Sequence, residues 1–164
     1  MEPRTCAAHA LSELLPENAI RVSVPAADWR EAVAACGQAL TASGAATGAY
    51  TAEMISTVEQ LGPYIVIAPG IALAHARPSP AVLRAGMSVV TLAQPVAFGH
   101  ATNDPVSLVV GLAAPDDQGH IAALAALAEF LVDDERRAAL LASTSPGEIR
   151  RLIDVYEESQ ASPG

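Results

Sequence analysis

The chain has 164 residues, 51% of them apolar but only 4% aromatic, and a formal charge of −9. That length suits one domain with a core of Ala, Val, Leu and Ile, and the acidic balance excludes a bare nucleic-acid or anionic-membrane binder, which needs a positive stripe to displace counterions. All 9 cations are arginines, so a Walker-A lysine, a Schiff-base lysine and a Ser–Lys dyad are excluded as well.

Residues 1–10 read as an N-terminal tail with neither a basic start before an apolar run nor a cleavage site. No stretch is apolar for the length of a membrane span, so the expected location is the cytoplasm. "LSELL" predicts a helical turn before Pro16, and "AIRVSV" (19–24) alternates as a strand that ends at Pro25. The stretch 25–44 reads as a helix, with Asp28 as N-cap, Glu31 three residues on, Val33 and Leu40 on the apolar side and Gly44 as its stop. Cys36 lies inside it beside two alanines and reads as a small core residue. It forms no CxxC with Cys6, so neither a zinc site nor a disulfide framework is indicated. A second helix, 50–62, carries Met54, Ile55, Val58 and Leu61 at helical spacing and again closes on glycine.

The texture then turns β-branched. "PYIVIAPGIALAHARP" predicts two short strands, or a strand and a turn, around Pro69–Gly70. Residues 86–98 predict a strand pair or one long strand broken at Gln94–Pro95, and 104–115 is an apolar run suited to a strand buried on both faces. Helices follow. Ile121, Leu124, Leu127 and Leu131 mark one apolar stripe, Asp133 or Asp134 restarts a helix through Leu141, and Ser145–Pro146 with Glu148 opens the last. The pairs Arg136–Arg137 and Arg150–Arg151 read as solvated helix faces, and 158–164 as a tail. The order predicts an α/β protein: a mixed β-sheet flanked by helices on both faces, in a single domain over 11–157.

Four histidines are candidates for chemistry. His9 reads as solvated surface, and His100, in "FGHATNDP", as turn chemistry. His75 stands at a strand exit, with Arg77, Pro78 and Pro80 following, and ligand sites of α/β sheets gather at such exits. If the strand 104–115 shares the sheet, its exit loop "PDDQGH" brings His120 alongside, at a helix start that favours an anion. Two imidazoles, Arg77 and a helix start suit a phosphoryl group, one imidazole as nucleophile and the other on an oxyanion. A metal site of His75, His100 and His120 has no HxH or HExxH spacing to support it, and no GxSxG elbow marks a hydrolase.

The stretch "YTAEMISTVEQLGPYIVIAPGIALAHARP", continued by "TLAQPVAFGHATNDPVSLVVGLAAPDDQGHIAALAALAEFL" and "LLASTSPGEIRRLI", resembles enzyme IIA components of the bacterial phosphoenolpyruvate-dependent sugar phosphotransferase system. The similarity is to the fructose–mannitol superfamily, in its ascorbate-type branch, over roughly residues 11–155. The resemblance implies that His75 accepts a phosphoryl group from the phosphocarrier HPr and passes it to a cysteine of an enzyme IIB component, which serves a membrane IIC transporter. It implies that His120 stabilises the phosphoryl group. Arg77 and His100 are further candidates for phosphate binding, and no cofactor, metal or nucleic acid is expected. The implied role is uptake of ascorbate or a related sugar; the alternative is a regulatory module whose phosphorylation state controls a partner protein. Two positions depart from the pattern. Ala74 replaces the usual proline before the active histidine, which is expected to loosen the turn, and Thr57 stands where mannitol-type members carry an arginine.

Overall fold

A computed structural model describes residues 11, 14–62, 65–77, 79–115 and 125–161. A 3-10 turn, Glu17–Ala19, leads into β1, Ile20–Val24. Helix α1, Trp29–Ala42, begins where the Asp28 carboxylate accepts from the Glu31 N–H (3.0 Å) and the Glu31 carboxylate accepts from the Ala27 N–H (2.8 Å), a reciprocal cap that satisfies two otherwise orphaned donors. It stops at Gly44, whose φ of +83° L side chains rarely adopt. Helix α2, Gly48–Leu61, ends the same way at Gly62 (φ +87°). Met54 and Val58 of its predicted stripe are buried, Ile55 is half-buried, and Leu61, in the last turn, is 66% exposed.

The hairpin predicted around Pro69–Gly70 is present as β2, Val66–Ala68, and β3, Ile71–His75, paired antiparallel. β4, Gly86–Val96, is one long strand; the expected break appears as a register shift between Thr91 and Val96, where Ala93, Gln94 and Pro95 turn outward. β5, Val106–Ala113, is buried along nearly its whole length, as its apolar run requires. Helix α3 is described over 125–131, α4 spans Asp134–Ala142 with the Asp133 side chain capping the Glu135 N–H (2.8 Å), and α5 spans Pro146–Ala161, four residues into the expected tail. Ile121 and Leu124 lie outside the described residues, while Leu127 and Leu131 are buried.

The sheet runs β1-β4-β5-β3-β2. β1 pairs parallel with β4 and β3 parallel with β5, while β4–β5 and β2–β3 are antiparallel. Strand alternation divides its side chains between two cores. Ala72, Ala74, Val90 and Val109 pack with α1 and α2; Ile71, Leu73, Val89, Leu108 and Leu112 pack with Leu11, Leu15 and helices α3 to α5. This is the predicted mixed sheet with helices on both faces.

The arginine pairs depart from expectation. Arg136 donates to the Phe130 and Glu129 carbonyls (2.7 and 2.8 Å) and stacks on the Tyr156 ring, its guanidinium carbon 4.5 Å from the centroid. Arg137 donates to the Leu131 carbonyl (2.7 Å) and Arg150 to that of Leu15 (2.7 Å). Three of the four are thus anchors that satisfy carbonyls at the ends of helical segments, a job for which the guanidinium fork is suited. Arg151 is exposed as predicted. Among the described residues no helix is long and apolar enough to cross a membrane.

Candidate active site at the exit of β3

β3 and β5 run parallel and side by side, with His75 in register with Leu112. Both strands therefore leave the sheet at the same end, as the juxtaposition of their exits requires. The short β2 pairs with Ile71 and Ala72 alone, so Leu73 to His75 have β5 on one side and, among the described residues, no strand on the other. Alternation puts the half-buried His75 on the face of Ile71 and Leu73. Its Nδ1 lies 3.1 Å from the Leu73 carbonyl oxygen. A carbonyl only accepts, so the contact favours a proton on Nδ1, the tautomer whose neutral form has its lone pair on Nε2.

The backbone beyond His75 is held by α2. Tyr50 is buried, and its hydroxyl accepts from the Ala76 N–H (2.9 Å) while its proton faces the Leu112 carbonyl (2.8 Å), with the Ala76 carbonyl at 3.1 Å. One turn along the helix, the Glu53 carboxylate accepts from the Ser79 hydroxyl (2.7 Å), which itself accepts from the Ala81 N–H (3.1 Å). Ala74 is fully buried inside the strand, opposite Gly111, so the expected loosening is met by side-chain ties from α2. Thr57 returns its hydroxyl to the Glu53 carbonyl (2.8 Å) and presents no charge. Arg77 is exposed and makes no hydrogen bond or ion pair among the described residues. His120 and Pro78 lie outside the described residues, as do His9 and Cys6; β5 can be followed as far as Pro115.

His100 is at the other end of the sheet. Its loop joins the exit of β4 to the entry of β5, and the Asn103 carbonyl there accepts from the Gly70 N–H (2.9 Å), just before β3 begins. Five residues of strand, roughly 17 Å, separate that end from His75. The structure does not bring His100 and His75 together. Instead, His100 Nδ1 accepts from the N–H groups of Thr102 (3.2 Å) and Asn103 (3.1 Å), and the Asp104 carboxylate gathers those of Phe98, Gly99 and His100 (2.7 to 3.1 Å), which is the turn chemistry its sequence predicts.

Cys36 is equally remote from nucleophilic work. Its thiol is buried 3.4 Å from the Val109 carbonyl, and burial pushes its pKa up to about 12 against a smaller lowering by the Ser88 hydroxyl. Tyr50, Glu53 and Ser79 are the site residues that sequence reasoning missed. The available signal was Tyr50 itself: a buried tyrosine needs a partner for its hydroxyl, and this chain has only 3.

The mixed α/β sheet thus offers a half-buried histidine at the common exit of two parallel strands, with its Nδ1 against a backbone carbonyl. Residues 13–155 match the family model "Phosphoenolpyruvate-dependent sugar phosphotransferase system, EIIA 2", and the chain belongs to that family. It is 37% identical over 146 residues to the ascorbate-specific phosphotransferase-system EIIA component of Escherichia coli strain K12, covering 88% of this chain and 95% of that one. The solution structure of the mannitol-specific cryptic phosphotransferase enzyme IIA from Escherichia coli superposes with a TM-score of 0.79 at 34% identity, over 88% of this chain and 98% of the other. The mannitol enzyme IIA in complex with phosphorylated enzyme IIB from Escherichia coli superposes with a TM-score of 0.75 at 27% identity, over 87% and 99%.

Proposed function

We propose that this protein is a cytoplasmic phosphocarrier that takes a phosphoryl group from phospho-HPr on His75 and passes it to a cysteine of an enzyme IIB component, for uptake of ascorbate or a related sugar. The single observation that carries this reading is the His75 ring, anchored through Nδ1 to the Leu73 carbonyl at a strand exit. In the first step the Nε2 lone pair forms the new P–N bond as the P–N bond to the donor imidazole breaks, and Nδ1 keeps its proton. The ring becomes a phosphoimidazolium whose new charge lies against the Leu73 carbonyl dipole. In the second step a thiolate forms the P–S bond and the P–N electron pair returns to Nε2. Transfers of this kind demand positioning and charge stabilisation more than new covalent chemistry. His120 and the Arg77 guanidinium are assigned to the phosphoryl oxygens. His100, at the far end of the sheet, is assigned no part in the transfer.

The ascorbate-specific relative supports the substrate class, and the mannitol IIA–IIB complex supports the acceptor. The test is intact-protein mass after incubation with phosphoenolpyruvate, enzyme I and HPr. A single acid-labile phosphoryl adduct on the wild type, absent from His75→Ala and removed by an ascorbate-type IIB, is the expected result. No adduct on the wild type beside a working enzyme IIA control overturns the reading. An adduct that IIB leaves in place transfers the assignment to a regulatory module.

A further inference from the structure

We propose that Tyr50 is the positioning residue that sets the His75 imidazole for transfer, and that the Glu53–Ser79 pair is its second grip on the same segment. The assignment rests on the phosphocarrier reading of His75. Tyr50 is 1% exposed, so its hydroxyl is present at a desolvation cost that a phenylalanine of the same ring volume would avoid. That oxygen is used on two particular residues: Ala76, whose peptide leaves His75, and Leu112, the register partner of His75 on β5. The β3–β5 ladder ends at His75, and the Ala76 N–H finds in Tyr50 the acceptor that β5 no longer supplies.

The second grip follows from helix geometry. Residues three apart on α2 face the same way, so Tyr50 and Glu53 meet the chain at its two sides, at Ala76 and at Ser79. Ala76 and Ser79, neither of them in a helix or strand, are therefore both tied to one face of one helix. His75 sits between the Leu73 carbonyl, which orients its ring, and the Ala76 peptide, which Tyr50 holds. Releasing Ala76 frees the ψ of His75, and with it the ring's approach to Leu73. In-line transfer is sensitive to such shifts, since a displacement of about 1 Å can cost about a hundredfold in rate.

Tyr50→Phe removes the oxygen and keeps the ring. Two measurements are made on it. In the unphosphorylated protein, long-range proton–nitrogen NMR spectra report the His75 tautomer, expected as Nδ1–H in the wild type and as a mixture in the variant. In steady-state transfer from phospho-HPr, kcat is expected to fall about tenfold or more with KM for phospho-HPr within about twofold, the signature of a misplaced acceptor and not of lost docking. A wild-type tautomer with unchanged kcat overturns the proposal, and so does a rise in KM alone. If Tyr50→Phe gives no cooperative melt, the partly exposed second grip decides. Ser79→Ala and Glu53→Ala are then expected to lower kcat, and Glu53→Gln, which keeps an acceptor oxygen, to retain more of it; three equal values overturn the proposal. A wild type that takes up no phosphoryl group fails the phosphocarrier reading alone, because the tautomer comparison still decides what Tyr50 does to His75.

Discussion

Gly111 lies where α1 closes on the sheet, and Gly111→Ala tests how the layers are fitted. Gly111 pairs with Ala74 on β3 and with Ser88 on β4, in ordinary extended backbone. A Cβ there overlaps the Ser88 hydroxyl and comes within 3.2 Å of Cys36 Cβ and 3.4 Å of Leu40 Cδ1, both on α1. Overpacking of a closed core costs about 1–3 kcal/mol. If Ser88 rotates away instead, its fully buried hydroxyl loses the bond to the Cys36 carbonyl (3.0 Å), which costs a comparable amount. Alanine regains about 0.5–1 kcal/mol of backbone entropy over glycine, leaving a net loss of up to about 2.5 kcal/mol. At 164 residues each kcal/mol shifts Tm by about 2–4 °C, so a fall of up to about 10 °C is expected in a calorimetric melt. Ser88→Ala removes the atom in the way. In the double variant it is expected to recover at least about 1 kcal/mol relative to the sum of the single effects. Strict additivity of the two substitutions would refute the packing argument.

Three further outcomes follow from the anchors and the buried groups. In a Cys6→Ser background, Cys36 is expected to resist a chromogenic disulfide reagent at about pH 8 and to react fully in urea, because its thiol is buried and protonated with a pKa of about 12; stoichiometric labelling of the native protein would contradict this. Arg136→Lys is expected to lower stability by about 1–2 kcal/mol, nearly as much as Arg136→Met, since a lysine gives up the fork to two carbonyls and the stack on Tyr156; denaturant midpoints decide. Burial, then the Glu129 carboxylate, holds the Tyr156 phenol above its ordinary value of 10.0 against an opposing Arg136. The folded state therefore binds this proton more tightly than the unfolded one. Its stabilising effect is complete below about pH 10 and is lost as pH rises through the folded pKa. Urea midpoints at about pH 9 and pH 11 are expected to fall less in Tyr156→Phe than in wild type.

How much of this was legible in the sequence depends on whether a residue's partner is local. The Asp28–Glu31 cap and the glycines that close α1 and α2 announce themselves because the bonds or the φ angle involve neighbours in the chain. β5 was legible because burial on both faces leaves an unbroken apolar run. The arginine anchors were not. A guanidinium that reaches a carbonyl 135 residues away, as Arg150 does at Leu15, leaves the same pattern in the sequence as one in solvent. α5 runs four residues past the expected start of the tail, and "ESQA" carries no helix stop that would have ended it sooner.

The placement of His100 was recoverable by argument. If β3 and β5 leave the sheet together, any loop that enters β5 must lie at the opposite end, so a residue in 97–105 cannot share a site with His75. The hypothesis that brought His120 towards His75 therefore already removed His100, since both follow from the direction of one strand. Tyr50 is different in kind. Its hydroxyl binds backbone groups of Ala76 and Leu112, and backbone groups have no sequence identity, so no covariation or motif need mark them. Ala74 shows the consequence. In a site whose histidine is held only by the turn, losing the proline before it would loosen the imidazole. Where a neighbouring helix ties down the next peptide, that position is free to be a small residue packed in a strand.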